Sequence, residues 1–251
     1  MKFCILPQTH APEPVLRWGR KHWFRVASEH IERGILGSSI HSLRLHTQSL
    51  HAGLENTAIA RDLLSPSLTL TRYREILAAW ANAWTILEHT LQHSEFSRAA
   101  PELLPAARVA HAIDDLRYLG HAPESKPLSF GYAMALTPSG LSAFVGICYV
   151  VRGASLGGKV IAKHLEATLR LVRNNGAAFF GGHDRDALTW VQWMRNADTL
   201  LLSLGDIDEA KRAAANTFSL LTDLFSRDGS QAPSLPAAVS TDRLAAAGLR
   251  I

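Results

Sequence analysis

The segment LRLHTQSLHAGLE, Leu43–Glu55, has the residue types and spacing of a metal-binding helix face. Four polar residues recur there at intervals of three and four along one face of a helix: Arg44, Gln48, His51 and Glu55. A neutral imidazole is a good metal ligand, and its second ring nitrogen needs an acceptor or water. Arg44 lies two turns from His51, about 10 Å along the axis, where its guanidinium suits a carboxylate.

A second segment, GICYVVRGASLGG, Gly146–Gly158, is apolar and lies in a helical context, yet it contains four glycines. Each glycine inside a helix costs about 1 kcal/mol relative to alanine. Gly146, Gly153 and Gly157 stack on one helix face, which would let something flat and bulky lie against the backbone. Together the two segments predict a haem held between two helices.

Each segment also has interpretations that need no haem. A lone histidine on a helix is more often a surface or core residue than a ligand, and we expect His41 and His46 on the solvent side. Gly153–Lys159 fits the start of a phosphate-binding loop, GxxxxGK, but Val160 stands where that loop needs Ser or Thr. A membrane dimer motif is less favoured still, and close helix packing without a ligand stays open.

Helical periodicity and punctuation predict an all-α, single-domain bundle of about seven or eight helices. Residues 1–36 are expected to be a basic N-terminal extension, 37–228 the helical domain and 229–251 a C-terminal tail. Asp206 with Glu209 predicts a capping box. The expected helices span about 39–61, 70–93, 105–119, 138–152 with a continuation through the glycines to 173, 184–204 and 206–227.

The net charge of +4 is concentrated at the N-terminus, where residues 1–36 contain six basic and three acidic residues. The remainder is nearly neutral, so a nucleic-acid-binding surface is not expected. No apolar run reaches the length of a bilayer span, and no signal sequence is recognisable. Cys4 and Cys148 match no disulfide framework, so we expect a cytoplasmic protein without membrane association.

The two segments in this order resemble the haem oxygenase family. LRLHTQSLHAGLEN, Leu43–Asn56, resembles its proximal region, and YVVRGASLGGKVI, Tyr149–Ile161, resembles its distal region. The likeness spans about residues 40–225 and is greatest to the bacterial members that serve bacteriophytochromes. Weaker similarity occurs in SPSLTLTRYREIL, in DDLRYLG and in AAANTFSLL around Phe218.

The resemblance implies that His51 is the proximal iron ligand and that Gly153, Gly157 and Gly158 form a kinked distal helix whose backbone lies on the haem. It implies catalytic positions at Gly153, Ser155 and Gly157. It further implies that haem is bound by Arg44, Thr47, His51, Glu55, Tyr149, Gly153, Gly157, Gly158 and Arg195, with Arg44 and Arg195 on the propionates. Family members convert haem, O₂ and electrons into biliverdin, CO and iron. An electron donor such as ferredoxin or a reductase is then expected, and a bacteriophytochrome is a possible recipient of biliverdin.

One position departs from the pattern, because many family members carry Asp after the first distal glycine and this chain carries Ala154. Proton delivery would then depend on Ser155, Arg152 or backbone-held water. A non-catalytic haem carrier or sensor is therefore the alternative. A thiaminase-like or di-iron protein is a third reading, although the Glu-x-x-His spacing of a di-iron site does not occur; Glu88 and His89 are adjacent.

Overall fold

The computed structural model describes residues 37–121, 136–181 and 186–226, with the side chains of 186–188 left out. The predicted extension and tail, 1–36 and 229–251, lie outside the described residues. A short 3₁₀ turn occupies Pro101–Leu103. The α-helices are α1 Ser38–Glu55, α2 Ala58–Leu63, α3 Leu70–Gln92, α4 Phe96–Ala99, α5 Val109–Tyr118, α6 Leu141–Leu169, α7 Ala178–Gly181, α8 Asp186–Leu204 and α9 Ile207–Ser226.

The all-helical prediction is confirmed, with two differences in how helices begin and end. The helix expected over 39–61 divides at Thr57, whose hydroxyl accepts the amide of Ala60 at 3.3 Å and starts α2. The other helix, α6, runs unbroken through its glycines for 29 residues and ends at Arg170, which has a φ of 59°. Because Gly153–Lys159 is helical, it is not a phosphate-binding loop.

The core forms where α9 packs against both α6 and α1, with α8 beside the same two helices. Buried apolar side chains on these elements include Leu43, Phe144, Trp193 and Phe225. Among the described helices α6 alone is long and apolar enough to cross a bilayer, but 56% of its apolar window is buried inside the fold. Burial against neighbouring helices accounts for its apolar composition.

Three helices begin at carboxylates that belong to other helices. Asp198 of α8 accepts the amides of Ser39 and Ile40 at 2.9 and 3.1 Å and so caps α1. In the same way Glu88 caps α5 and Asp115 caps α7. Burial raises the pKa of Glu88 and of Asp115, while the amide bonds that each accepts act in the opposite direction. These contacts fix the helix ends relative to one another.

The predicted capping box at the start of α9 forms only in part. The amide of Glu209 donates to Asp206 Oδ1 at 3.0 Å, as predicted. The Glu209 carboxylate instead accepts the hydroxyl of Ser139 at 2.6 Å, beside Gly140 at the start of α6. This contact joins the segment that precedes α6 to the first turn of α9.

Candidate functional site

His51 lies on α1 with a side chain that is 32% exposed, and its Nδ1 lies 3.6 Å from Glu55 Oε1. Burial lowers the pKa of His51, and the negative charge of Glu55 partly opposes that effect. The imidazole is therefore held in its neutral form at neutral pH. A neutral ring with a carboxylate beside Nδ1 has the electronic state and the orienting partner of a metal ligand.

Phe218 of α9 packs edge-on against His51, with ring centroids 5.8 Å apart and an interplanar angle of 74°. The contact supports the imidazole from a second helix. The sequence indicated the Phe218 region only through its weak family likeness, because the pairing of α9 with α1 is a long-range contact. Phe218 is thus a site residue whose position could not be derived from spacing.

Tyr149 lies on α6, the helix that contains the glycines, and interacts with residues of α1, the helix that contains His51. Burial raises the pKa of its phenol, while a hydrogen bond with Thr47 and the charge of Arg44 lower that pKa. Thr47 is itself buried and donates to the carbonyl of Leu43 at 3.0 Å. The Tyr149 and Thr47 side chains are therefore near each other where α6 passes α1, one turn before Gly153 on α6 and one turn before His51 on α1.

The glycines of α6 meet different surroundings. A Cβ at Gly146 would collide with the carbonyl of Ala210 on α9, so this glycine allows a close helix crossing. A Cβ at Gly158 would lie 2.6 Å from the carbonyl of Phe180 on α7, so this glycine also packs against protein backbone. Gly153 and Gly157 are half-buried within the same helix. Close packing, one of the interpretations left open from the sequence, thus applies to Gly146 and Gly158.

Two stacked tryptophan side chains of α8 pack next to Tyr149. The Trp190 and Trp193 rings stack with centroids 5.3 Å apart and planes 6° from parallel, and Tyr149 lies 5.9 Å from Trp190. The Arg152 guanidinium lies 5.8 Å from the Trp193 ring centre and donates to the carbonyl of Leu104 at 2.9 Å. This fixed arrangement holds α6 against α8.

The remaining predicted positions differ in how far they are exposed to solvent. Arg44 and Ser155 are half-buried, and Arg195 is exposed on α8. His46 is exposed, as expected. The solvent-side prediction for His41 is wrong, because its Nδ1 is buried and has no hydrogen-bond partner among the described residues.

The donor set suits haem better than a bare metal ion. Across the described residues, no group of three or more His, Cys, Asp or Glu side chains could hold an ion. One neutral imidazole, supported by a carboxylate and a phenyl ring, matches an iron whose other ligands belong to a macrocycle. The site residues therefore fit haem, whereas a di-iron centre lacks its carboxylates here.

The sequence model of one family, described as heme oxygenase, matches residues 39–227, which is most of the chain. No curated protein matches the chain significantly.

Solved structures with the same fold include three bacterial haem oxygenases. The NO- and CO-bound enzyme of Neisseria meningitidis has a TM-score of 0.59 and 20% identity, with 80% of this chain and 97% of that chain covered. The Leptospira interrogans enzyme has a TM-score of 0.60 and 20% identity, with 76% of this chain and 99% of that chain covered. Haem oxygenase-2 of Synechocystis, solved with heme and NO, has a TM-score of 0.59 and 23% identity, with 75% of this chain and 84% of that chain covered. At these identities the likeness establishes a shared fold.

Proposed function

The chain belongs to the haem oxygenase family and is a haem-degrading enzyme; we propose that it holds haem between His51 of α1 and the half-buried glycines Gly153 and Gly157 of α6. The observation that carries this proposal is the half-buried imidazole of His51, with the Glu55 carboxylate 3.6 Å from its Nδ1 and the Phe218 ring packed edge-on against it. Bound haem supplies the iron that activates O₂ and is itself the substrate. The protein supplies orientation, exclusion of water and control of protons.

On the α1 side, His51 would hold the haem iron through one ring nitrogen, while the Glu55 carboxylate lies 3.6 Å from its Nδ1. The Phe218 ring limits rotation of the imidazole, and Thr47 fixes the turn before it. Arg44, two turns from His51, would pair with a haem propionate at the end of the site where its charge already reaches Tyr149. Arg195, exposed on α8, is the second candidate partner for a propionate.

On the α6 side, Gly153 and Gly157 let the haem plane approach the helix backbone. Gly158 takes part indirectly, by letting α7 close against α6. Ser155 is the hydroxyl of this helix that we assign to proton transfer, because Ala154 brings no polar group.

We further propose that the products are biliverdin, CO and iron, and that ferredoxin or a reductase supplies the electrons in the cytoplasm. The likeness of Tyr149–Ile161 to bacteriophytochrome-associated members supports a bacteriophytochrome as recipient of biliverdin. Turnover is tested by loading the protein with haemin and adding a reductant under air. Loss of the Soret band with growth of biliverdin absorption is expected. A stable Soret band without product would instead identify a haem carrier.

The ligand assignment is tested by His51→Ala. We expect the ferric spectrum to change strongly, because the iron loses its nitrogen ligand, and imidazole added to the variant should restore it. His46→Ala is the matched control, since His46 is an exposed histidine of the same helix. A spectrum that changes with His46→Ala and not with His51→Ala would show that the ligand is assigned wrongly.

A further inference from the structure

Two exposed histidines, His89 and His93, lie together at the end of α3. Their rings stack with centroids 4.1 Å apart and planes 20° from parallel. Among the 12 histidines of the sequence, these are the only two separated by three or four residues, the spacing that places side chains next to each other on one helix face. None of the residues that we propose to hold haem lies on α3, so this pair is separate from the haem site.

The His93 ring is held in one orientation and in one tautomer. Its Nδ1 lies 2.9 Å from the carbonyl oxygen of His89, which also accepts the backbone amide of His93 at 3.0 Å. Because a carbonyl oxygen can only accept, Nδ1 is the donor and carries the proton of the neutral ring. The lone pair is then on Nε2, and a backbone carbonyl on Nδ1 is a common partner for a histidine that binds a metal through Nε2.

The second imidazole belongs to His89, whose ring is less constrained. Within residues 37–121, 136–181 and 186–226, its ring nitrogens form no hydrogen bond or ion pair, and its only ring contact is with His93. Two imidazole nitrogens that bind one ion at 2.0–2.1 Å in adjacent positions are about 3 Å apart. With the ring centroids already 4.1 Å apart, a rotation of the exposed His89 ring brings the two lone pairs onto one ion.

The end of α3 also favours a bound cation. The final carbonyl groups of a helix carry the negative end of its dipole, and Lys or Arg often lies beside them. The last turn of α3 contains neither Lys nor Arg, and His89 is its basic residue. A metal ion held by the two rings would therefore supply the positive charge at this helix end.

We propose that His89 and His93 bind one divalent transition-metal ion through their Nε2 atoms, with water in the remaining coordination positions. Imidazole ligands suit Cu²⁺, Ni²⁺ and Zn²⁺, and the affinity of such a site is greatest for Cu²⁺ and much lower for Fe²⁺. No third His, Cys, Asp or Glu side chain of the described residues completes a metal cluster, so the site is open and its ion exchanges with solution. This inference does not depend on the proposed haem site.

The test is a titration of the full chain with Cu²⁺–iminodiacetate, a chelate that leaves adjacent positions on the copper for two imidazoles. Pulsed EPR is expected to show two imidazoles on the bound copper. His89→Ala and His93→Ala should each lower the affinity at least about 100-fold, because the two rings no longer bind as a pair. His46→Ala is the matched control, since His46 is exposed on α1 and has no histidine three or four residues away. Its affinity should equal that of the unmodified chain.

A second variant keeps the number of histidines and breaks their spacing. His93→Gln combined with Glu95→His places the second imidazole six residues from His89, beyond the end of α3. We expect this variant to bind copper as weakly as His93→Ala does. Circular dichroism verifies that the variants fold, which is expected because all three positions are exposed.

Two results would overturn the proposal. One is a single imidazole on the copper bound by the unmodified chain. The other is an affinity in His89→Ala, in His93→Ala or in the respaced variant that equals the affinity of the unmodified chain. Either result would be independent of haem uptake, because the titration uses protein without haem.

Discussion

The two helices that flank the proposed haem site contribute in opposite ways. α1 contributes side chains, since His51, Glu55 and Thr47 each have a defined contact. α6 contributes positions without a side chain, because Gly146 and Gly158 let the backbones of α9 and α7 approach closely. On α1 the damaging change is therefore the removal of a group, whereas on α6 it is the addition of one. Substitutions that exchange these roles test the comparison directly.

The largest effect is expected from Gly157→Leu on α6. The added side chain would project into the space that we assign to haem, and overpacking of a fitted site costs about 1–3 kcal/mol, or roughly 5- to 150-fold in haem affinity. Helicity should be retained. Haem titration followed at the Soret band measures the change.

Gly53→Leu on α1 is the control for that variant, because nothing lies within 4 Å of its Cβ position. It should bind haem normally. If both variants bind haem equally well, Gly157 does not face the ligand.

Alanine at Gly146 and at Gly53 should change stability in opposite directions. Gly146→Ala forces a methyl group into the carbonyl of Ala210, and we expect a loss of about 1–3 kcal/mol. Gly53→Ala meets no neighbour and should stabilise the protein by about 0.5–1 kcal/mol through its better helix propensity. Urea unfolding of both variants measures this, and a shift of the same sign in both would refute the close crossing of α6 and α9.

Asp198→Ala tests how α1 is held in place. The variant leaves the amides of Ser39 and Ile40 without their acceptor and should lose about 0.5–2 kcal/mol. Asp198→Asn retains a carbonyl oxygen and should recover part of that loss. Asp208→Ala is the control, since Asp208 is exposed and pairs with Lys211 on its own helix. Thermal unfolding compares the three, and equal melting temperatures would show that the cap contributes nothing.

The smallest effect concerns the protonation of His51. Its pKa in the folded protein lies below the ordinary value of 6.5, so the unfolded chain takes up a proton first as the pH falls. Stability contributed by this group is therefore lost as the pH falls from about 7 through 6.5 and towards the folded pKa. Glu55→Gln removes the charge that opposes this shift and should lower the pKa further. An NMR titration of the imidazole measures it, and a higher pKa in Glu55→Gln would contradict the assigned electrostatics.

Local patterns in the sequence predicted most of the helices and the position of His51 on a polar helix face. They could not separate Gly146 from Gly153, because both lie on one face and only the long-range contact with Ala210 distinguishes them. The capping of α1 by Asp198 joins residues 159 positions apart, which no local spacing reveals. The four-residue α7 was missed because it is too short to show periodicity.

The path of α9 has a consequence for how a planar molecule enters and leaves. This helix touches α6 through Ala210 and α1 through Phe218, positions eight residues and about 12 Å apart on one continuous rod. Because α9 contacts both α6 and α1, it keeps these two helices at a fixed spacing along that border. Because α8 also contacts both helices, widening for uptake of haem or escape of product would have to occur at a border that neither α8 nor α9 crosses.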